Sequence, residues 1–485
     1  MLPDDALLEI FDAFRNEAEW IKEWHILVHV CRRWRNVVFG SPRRLSLRIA
    51  CTNRTPVREI MDIWPPLPIV IRHDDYPTSG GDNIIAALKH NDRVCEIRLG
   101  PLPNSQWEKV LAEMQVPFWA LTDLKLQSND ETASVVPDSF LDGSAPPRLR
   151  SLSLDHIPFP GIPKLLLSAP DPVKISLLNI PHSGYISPEA MATCLSSLTR
   201  LTELDLAFLS PRSRPHRESR HPRPTTHSVL PTLRHFVFVG VSEYLEDLVA
   251  RIDAPLLDTF QINFFHQLIF DTPQLAHFIS RTPEFKAHKD AHVVFSYSGV
   301  RVLVPGSEDR GLKLKISCRQ SDWQLSSLAQ IFSSSFPHTL ITSLERLAIC
   351  DDERSPPHWQ EDVENSQWLE LLQPFTAVKD LYLFRGLPLR IAPALQELIG
   401  DRATEILPAL QCLNLEINPS ISLQKAIKQF VVAKQLSNYH LSLTGEKTIY
   451  QLPSRTCTLY YLSHFSPVCT NTHFLTPETS TIACY

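Results

Sequence analysis

Glycine is scarce in this chain: fourteen residues among 485, against forty prolines. Loops that cradle phosphates are built from glycine, and neither GxxxxGKS/T nor GxGxxG occurs. HExxH and GxSxG are missing as well, so the common metalloprotease and hydrolase frameworks are excluded. Ten cysteines are scattered, with no CxxC spacing among them, which removes the usual zinc arrangements and leaves reduced thiols as the simplest expectation. No apolar run approaches the roughly 18 residues a membrane helix needs. The N-terminus has no basic stretch followed by an apolar core, so no secretory leader is expected. The net charge of −6 is mild and argues against nucleic acid as a specific ligand. Nineteen histidines are present, many beside prolines as at Pro181–His182 and Pro337–His338, and they read as solvated or core residues. No catalytic, metal-ligating or cofactor-binding cluster emerges. The expectation is a protein that is not an enzyme, needs no cofactor, and resides in the cytoplasm or nucleus.

Proline and leucine are what the chain has instead. Forty prolines imply short elements with frequent breaks, because proline continues neither a helix interior nor a central strand. Between the breaks an L-x-x-L-x-L pattern recurs. It begins at Val94, Leu121, Leu149, Leu201, Leu233, Leu257, Leu344, Val378 and Leu410. The gap between 149 and 201 has room for one degenerate copy near Val173. Two poorer candidates, from His292 and Leu312, fill the interval between 257 and 344. Pro147, Pro231, Pro255 and Pro408 each stand two residues before the first apolar position of a copy, ending one segment and steering the chain into the next. Helix-like stretches such as 83–91, 243–252 and 394–401 lie between copies. A strand and its return cannot bury the leucines alone, but stacked neighbours can, at about 1.5–3 kcal/mol for each fully buried Leu. The pattern predicts an irregular leucine-rich-repeat-like solenoid of parallel strands with helical returns.

The first 45 residues follow a different rule. Leu2 and Pro3 precede Asp4 and Asp5, and apolar residues then recur at Ala6, Leu7, Ile10, Phe11 and Phe14, the spacing of a helix with acids in its first turn. Val30, Trp34, Val37 and Val38 mark a second apolar face beside Arg32, Arg33 and Arg35, with Cys31 expected at its edge. So short a segment does not bury a self-sufficient core and needs a partner.

Leu-Pro, then Ile-Phe, then Val-Cys-Arg-x-Trp (30–34) and a closing Ser-Pro (41–42) resemble the F-box. The resemblance covers less than a tenth of the chain, and the stretch 16–24 is more charged than is usual for the family. It implies three short helices that dock on a Skp-type adaptor and, through it, a cullin–RING ubiquitin ligase. On this resemblance Leu2, Pro3, Leu7, Ile10, Phe11, Val30, Cys31 and Trp34 are the expected adaptor contacts. The implied function is substrate recognition in such a ligase, with an interaction scaffold outside the ligase as the alternative.

Overall an α/β protein is expected, with an all-α helical region at 1–45, a solenoid at 46–445 and an irregular tail at 446–485. Within the solenoid, 210–228 holds five arginines, three histidines and four prolines with no apolar residue, and is expected to be a disordered basic loop. Residues alternating with the buried leucines should face the target protein. Among them Asp123, Lys125, Glu203, Asp205, His235, Arg346, Asp380 and Tyr382 are the candidates, Tyr382 first because tyrosine is enriched at interface centres.

Overall fold

The computed structural model describes residues 2–17, 24–41, 45, 47–53, 57–73, 81–129, 135–169, 171–211, 227–267, 269–286, 288–306, 310–359, 363–398, 405–417, 429–432, 434 and 438–443. Residues 1–444 form one compact unit, and 445–485 form a second that lies outside the described residues. The expected basic loop falls, over 212–226, outside them too.

Three helices open the chain: α1 (Asp4–Glu17), α2 (Trp24–Val30) and α3 (Arg32–Gly40). A sixteen-stranded sheet follows. Its strands are β1 (Ile49–Thr52), β2 (Ile69–Arg72), β3 (Val94–Leu99), β4 (Asp123–Gln127), β5 (Ser151–Asp155), β6 (Lys174–Ile180) and β7 (Glu203–Phe208). A short pair, β8 (Ser228–Val229) with β10 (Ile252–Asp253), stands apart. The main sheet continues through β9 (His235–Gly240), β11 (Thr259–Phe265), β12 (Asp290–Ser296), β13 (Gly299–Pro305) and β14 (Gly311–Ser317). It ends with β15 (Arg346–Asp351), β16 (Asp380–Leu383), β17 (Cys412–Ile417) and β18 (Asn438–Leu443). The degenerate copy near Val173 is β6, paired between β5 and β7.

Each repeat is started by a turn. In Ala254–Leu257 the Leu257 amide donates to the Ala254 carbonyl at 3.2 Å, and Pro255 occupies the second position, where its fixed φ suits the bend. The same arrangement holds for Pro147, Pro231 and Pro408. Behind each turn the chain locks to the previous repeat: Arg234 N donates to Thr202 O, and Asp258 N to Arg234 O. Alternation then sends every second side chain inward. Leu124, Leu152, Ile175, Leu204, Phe236 and Phe260 are register partners in one continuous row, all buried. Return helices such as Gly81–Leu88, Asn104–Glu113, Ser242–Val249 and Leu387–Glu397 cover that face. The arrangement is mixed α/β with a large, mostly parallel sheet, consistent with a leucine-rich-repeat-like solenoid.

Three features differ from expectation. First, β1 and β2 precede the first leucine pattern; Ile49, Ala50 and Cys51, and Ile69, Val70 and Ile71, are buried on both faces, so these short strands show no alternation. Second, the candidates at 292 and 312 do not continue the parallel array in sequence order. The sheet runs β11–β14–β13–β12–β15, with β13 antiparallel to both neighbours. Gly299 makes the first corner at φ +150°, where a Cβ would run into the Ile316 carbonyl. Third, Val30 and Trp34 do not share a helix. Cys31 is extended (φ −160°, ψ 169°) and separates α2 from α3, so Val30 points to solvent while Val37 and Val38 are buried.

The boundary expected near residue 45 is bridged by packing. The Trp24 indole N–H donates to Arg48 O at 2.9 Å, and its ring meets Trp64 at 5.3 Å and Phe39 at 6.0 Å. His25 stacks on Trp64 at 5.0 Å. The helices and the first strands therefore share one core.

Candidate functional site

The helical region divides the expected contact residues into two sets. Leu7 and Phe11 are buried with Leu8, Leu27 and Val28, and Phe11 meets Trp34 edge-on at 4.9 Å. Trp34 itself is half-buried. Leu2, Ile10 and Val30 stay about half exposed, at 53%, 49% and 55%. Pro3 is exposed; its carbonyl accepts from Leu7 N at 3.1 Å and so begins α1, with Asp4 and Asp5 favoured by the helix dipole. Arg33 anchors this end, donating to Asp4 Oδ1 at 2.7 Å and to the Leu2 carbonyl. That link holds the start of the chain against the first turn of α3. Cys31 is not at a buried edge: it is exposed and caps α3, its Sγ accepting from Trp34 N at 3.5 Å.

The described cysteines differ sharply in environment. Burial pushes the Cys51 thiol up to about 12 and those of Cys194 and Cys350 to about 11. Brief iodoacetamide treatment of the native protein, read by peptide mass spectrometry, should therefore label Cys31 and spare those three.

On the sheet, the side chains opposite the core form two rows on the open face. One row runs Glu96–Asp123–Ser151–Lys174–Glu203–His235–Thr259 in direct register, and two residues on lie Lys125 and Asp205. Arg346, Asp380 and Tyr382 hold the equivalent positions farther along. Four strands separate β9 from β15, a span of roughly 24 Å at about 4.8 Å per spacing. The eight candidates thus share one face without forming one site.

Much of the charge there is internally paired. Glu96 is buried beneath Arg48, Arg72 and Arg98 at 3.5, 3.1 and 2.7 Å. Lys174 meets Glu203 at 2.6 Å, and Arg346 holds both carboxylate oxygens of Asp290. Burial raises Asp205 above the usual carboxylate range, although the Ser176 hydroxyl and nearby His235, 4.0 Å away, oppose the shift. Tyr382 stacks on Phe384 at 6.3 Å, and burial pushes its phenol up. Sequence reasoning missed Lys174 and Ser176, whose strand lacks the leading leucine, and His292, Arg301, Lys313 and Lys315, which lie where the strands leave sequence order.

His292 faces the open side between Leu303 and Ala348. Burial lowers its pKa below the ordinary 6.5, with Asp290 opposing. The unfolded chain then binds this proton more tightly, so stability is expected to fall as pH drops below about 6.5 and to level off below the depressed folded value. His292→Gln should flatten that part of the stability–pH curve measured by urea unfolding.

Among the described residues no cluster of histidine, cysteine and carboxylates could hold a metal ion, and no helix is long and apolar enough to cross a membrane. No protein-family model matches the sequence, and no curated protein matches it. A solved structure of a leucine-rich repeat-containing protein from Legionella pneumophila, LegL7, is similar over 79% of this chain and 97% of its own, at 13% identity and a TM-score of 0.27.

Proposed function

We propose that the chain is the substrate-recognition subunit of a Skp–cullin–F-box ubiquitin ligase. The helical region binds the Skp-type adaptor, and the open face of the sheet holds a target protein. The observation that supports this reading most is the exposure of Leu2, just ahead of α1, and of Ile10 and Val30 on helices whose own interior is already filled by Leu7, Leu8, Phe11, Leu27, Val28, Val37 and Val38. A partner surface laid on these aliphatic groups would bury them without disturbing that core. The chain supplies no reacting group in this reading. It works by effective concentration, tying target and ligase together so that transfer becomes nearly intramolecular. Such a protein works in the cytoplasm or nucleus and needs no cofactor.

The test is capture of a purified Skp-type adaptor by the full chain, followed by co-purification of cullin from cells. Adaptor and cullin together support the ligase. Adaptor without cullin would favour a scaffold outside it, and no adaptor capture would sink the reading of the helices.

A further inference from the structure

On the reading that the open face of the sheet takes a target protein, β14, β13 and β12 differ from the rest of that face in charge. From β9 to β16 the two middle rows of the face are almost free of acids. One row reads Val237, Gln261, Lys313, Leu303, His292, Ala348 and Tyr382. The other reads Val239, Asn263, Lys315, Arg301, Val294 and Cys350. Arg301 is already committed to Asp352 at 2.6 Å. Among the described residues, neither Lys313 nor Lys315 has an ion-pair or hydrogen-bond partner, in contrast to Lys174, Arg346 and the arginines around Glu96. Burial and the adjacent Arg301 lower the Lys315 pKa, and an anion beside it would oppose both causes. His292, whose pKa burial lowers, joins Leu303 and Val294 as weakly polar surface on the next strands.

Lys313 and Lys315 are alternate residues of one strand, about 6.6 Å apart along it. That is the spacing of alternate side chains in another extended chain. Carboxylates at positions i and i+2 of such a chain reach one lysine each. We infer that the β14–β13–β12 surface docks an extended, carboxylate-rich segment of the target protein, with aspartate or glutamate at alternate positions on Lys313 and Lys315 and apolar side chains on Leu303 and Val294.

The test titrates the full chain against a short fluorescein-labelled peptide with glutamate at alternate positions, read by fluorescence anisotropy at low salt. Binding is expected, weakening as salt rises, because half-exposed charge pairs are screened. Lys313→Glu and Lys315→Glu should each weaken it about tenfold, since like charges then face each other. Lys→Arg at the same sites should keep it. The double charge reversal should leave the melting temperature and adaptor capture unchanged. Equal binding of the glutamine peptide, preference for a phosphoserine peptide, or unaltered affinity in the folded double variant would each overturn the inference. If a reversed variant fails to fold, a salt-independent affinity in the native chain overturns it equally. Failure of adaptor capture in the native chain, with peptide binding intact, would count against the ligase reading alone.

Discussion

Phe236→Ala is expected to cost about 3–5 kcal/mol and to unfold the middle of the sheet first. Phe236 is fully buried in the inward row, stacked on Phe260 at 5.1 Å with ring planes 16° apart. Phe260 in turn meets Phe278 of a return helix at 5.6 Å. Truncation removes one ring from a line that joins two repeats to their covering helix and leaves a cavity in the row. In a stacked array each unit is stabilised chiefly by its neighbours, so the loss is felt by β7, β9 and β11 together. Urea unfolding should show a lower midpoint or an early partial transition, and hydrogen exchange should quicken in those strands. Phe236→Leu makes the comparison. Leucine stands in the same row at Leu152 and Leu204, so it suits the geometry and should cost about 1 kcal/mol, mainly the lost stacking. Equal effects of Ala and Leu would show that aromatic contact, not volume, sets the stability of this row.

That row was legible in the sequence because one rule generates it. A turn with proline or a polar pair, a leucine, and two further apolar residues at alternate positions specify where the strand begins and which side is buried. The rule located β3 to β5, β7, β9, β11 and β15 to β17, left β6 as a degenerate copy, and for the strands it located it separated inward from open-face positions. It stopped working where other physics decides. β1 and β2 are buried on both sides, so they show no alternation. The reversal at β12–β14 is set by two tight corners, Gly299 and the approach to Gly311, where φ of +150° and +116° suits glycine. The turn residues Tyr297–Ser298–Gly299 and Pro305–Gly306 carried that signal, but the leucine spacing outweighed it. In the helical region the error was one of continuity. Val30 and Trp34 are four apart, which on an unbroken helix means one face. The extended Cys31 breaks the helix and gives the two side chains different surroundings.

The largest expected effect on binding follows from that break. Ile10→Asp and Val30→Asp should each leave the unfolding midpoint within about 0.5 kcal/mol of the native chain, since both side chains are about half exposed. Either should weaken adaptor capture by about 2 kcal/mol or more, roughly thirtyfold, because a carboxylate placed at the centre of an apolar contact must be desolvated without a partner. Phe11→Ala gives the opposite signature: a buried ring is lost, stability falls by about 3–5 kcal/mol, and any loss of capture follows from unfolding. Trp34 is the informative intermediate. It packs on Phe11 at 4.9 Å yet remains half-buried. Trp34→Phe preserves most of that contact, so far-UV circular dichroism should stay near native. Capture should weaken measurably if the exposed part of the indole meets the adaptor. An unchanged affinity in folded Trp34→Phe would assign the residue to the core and leave Leu2, Pro3, Ile10 and Val30 to carry the contact. Unchanged capture in both aspartate variants would remove the physical basis for docking at these helices, because no other described residues of α1 to α3 except Ile26 expose large aliphatic groups.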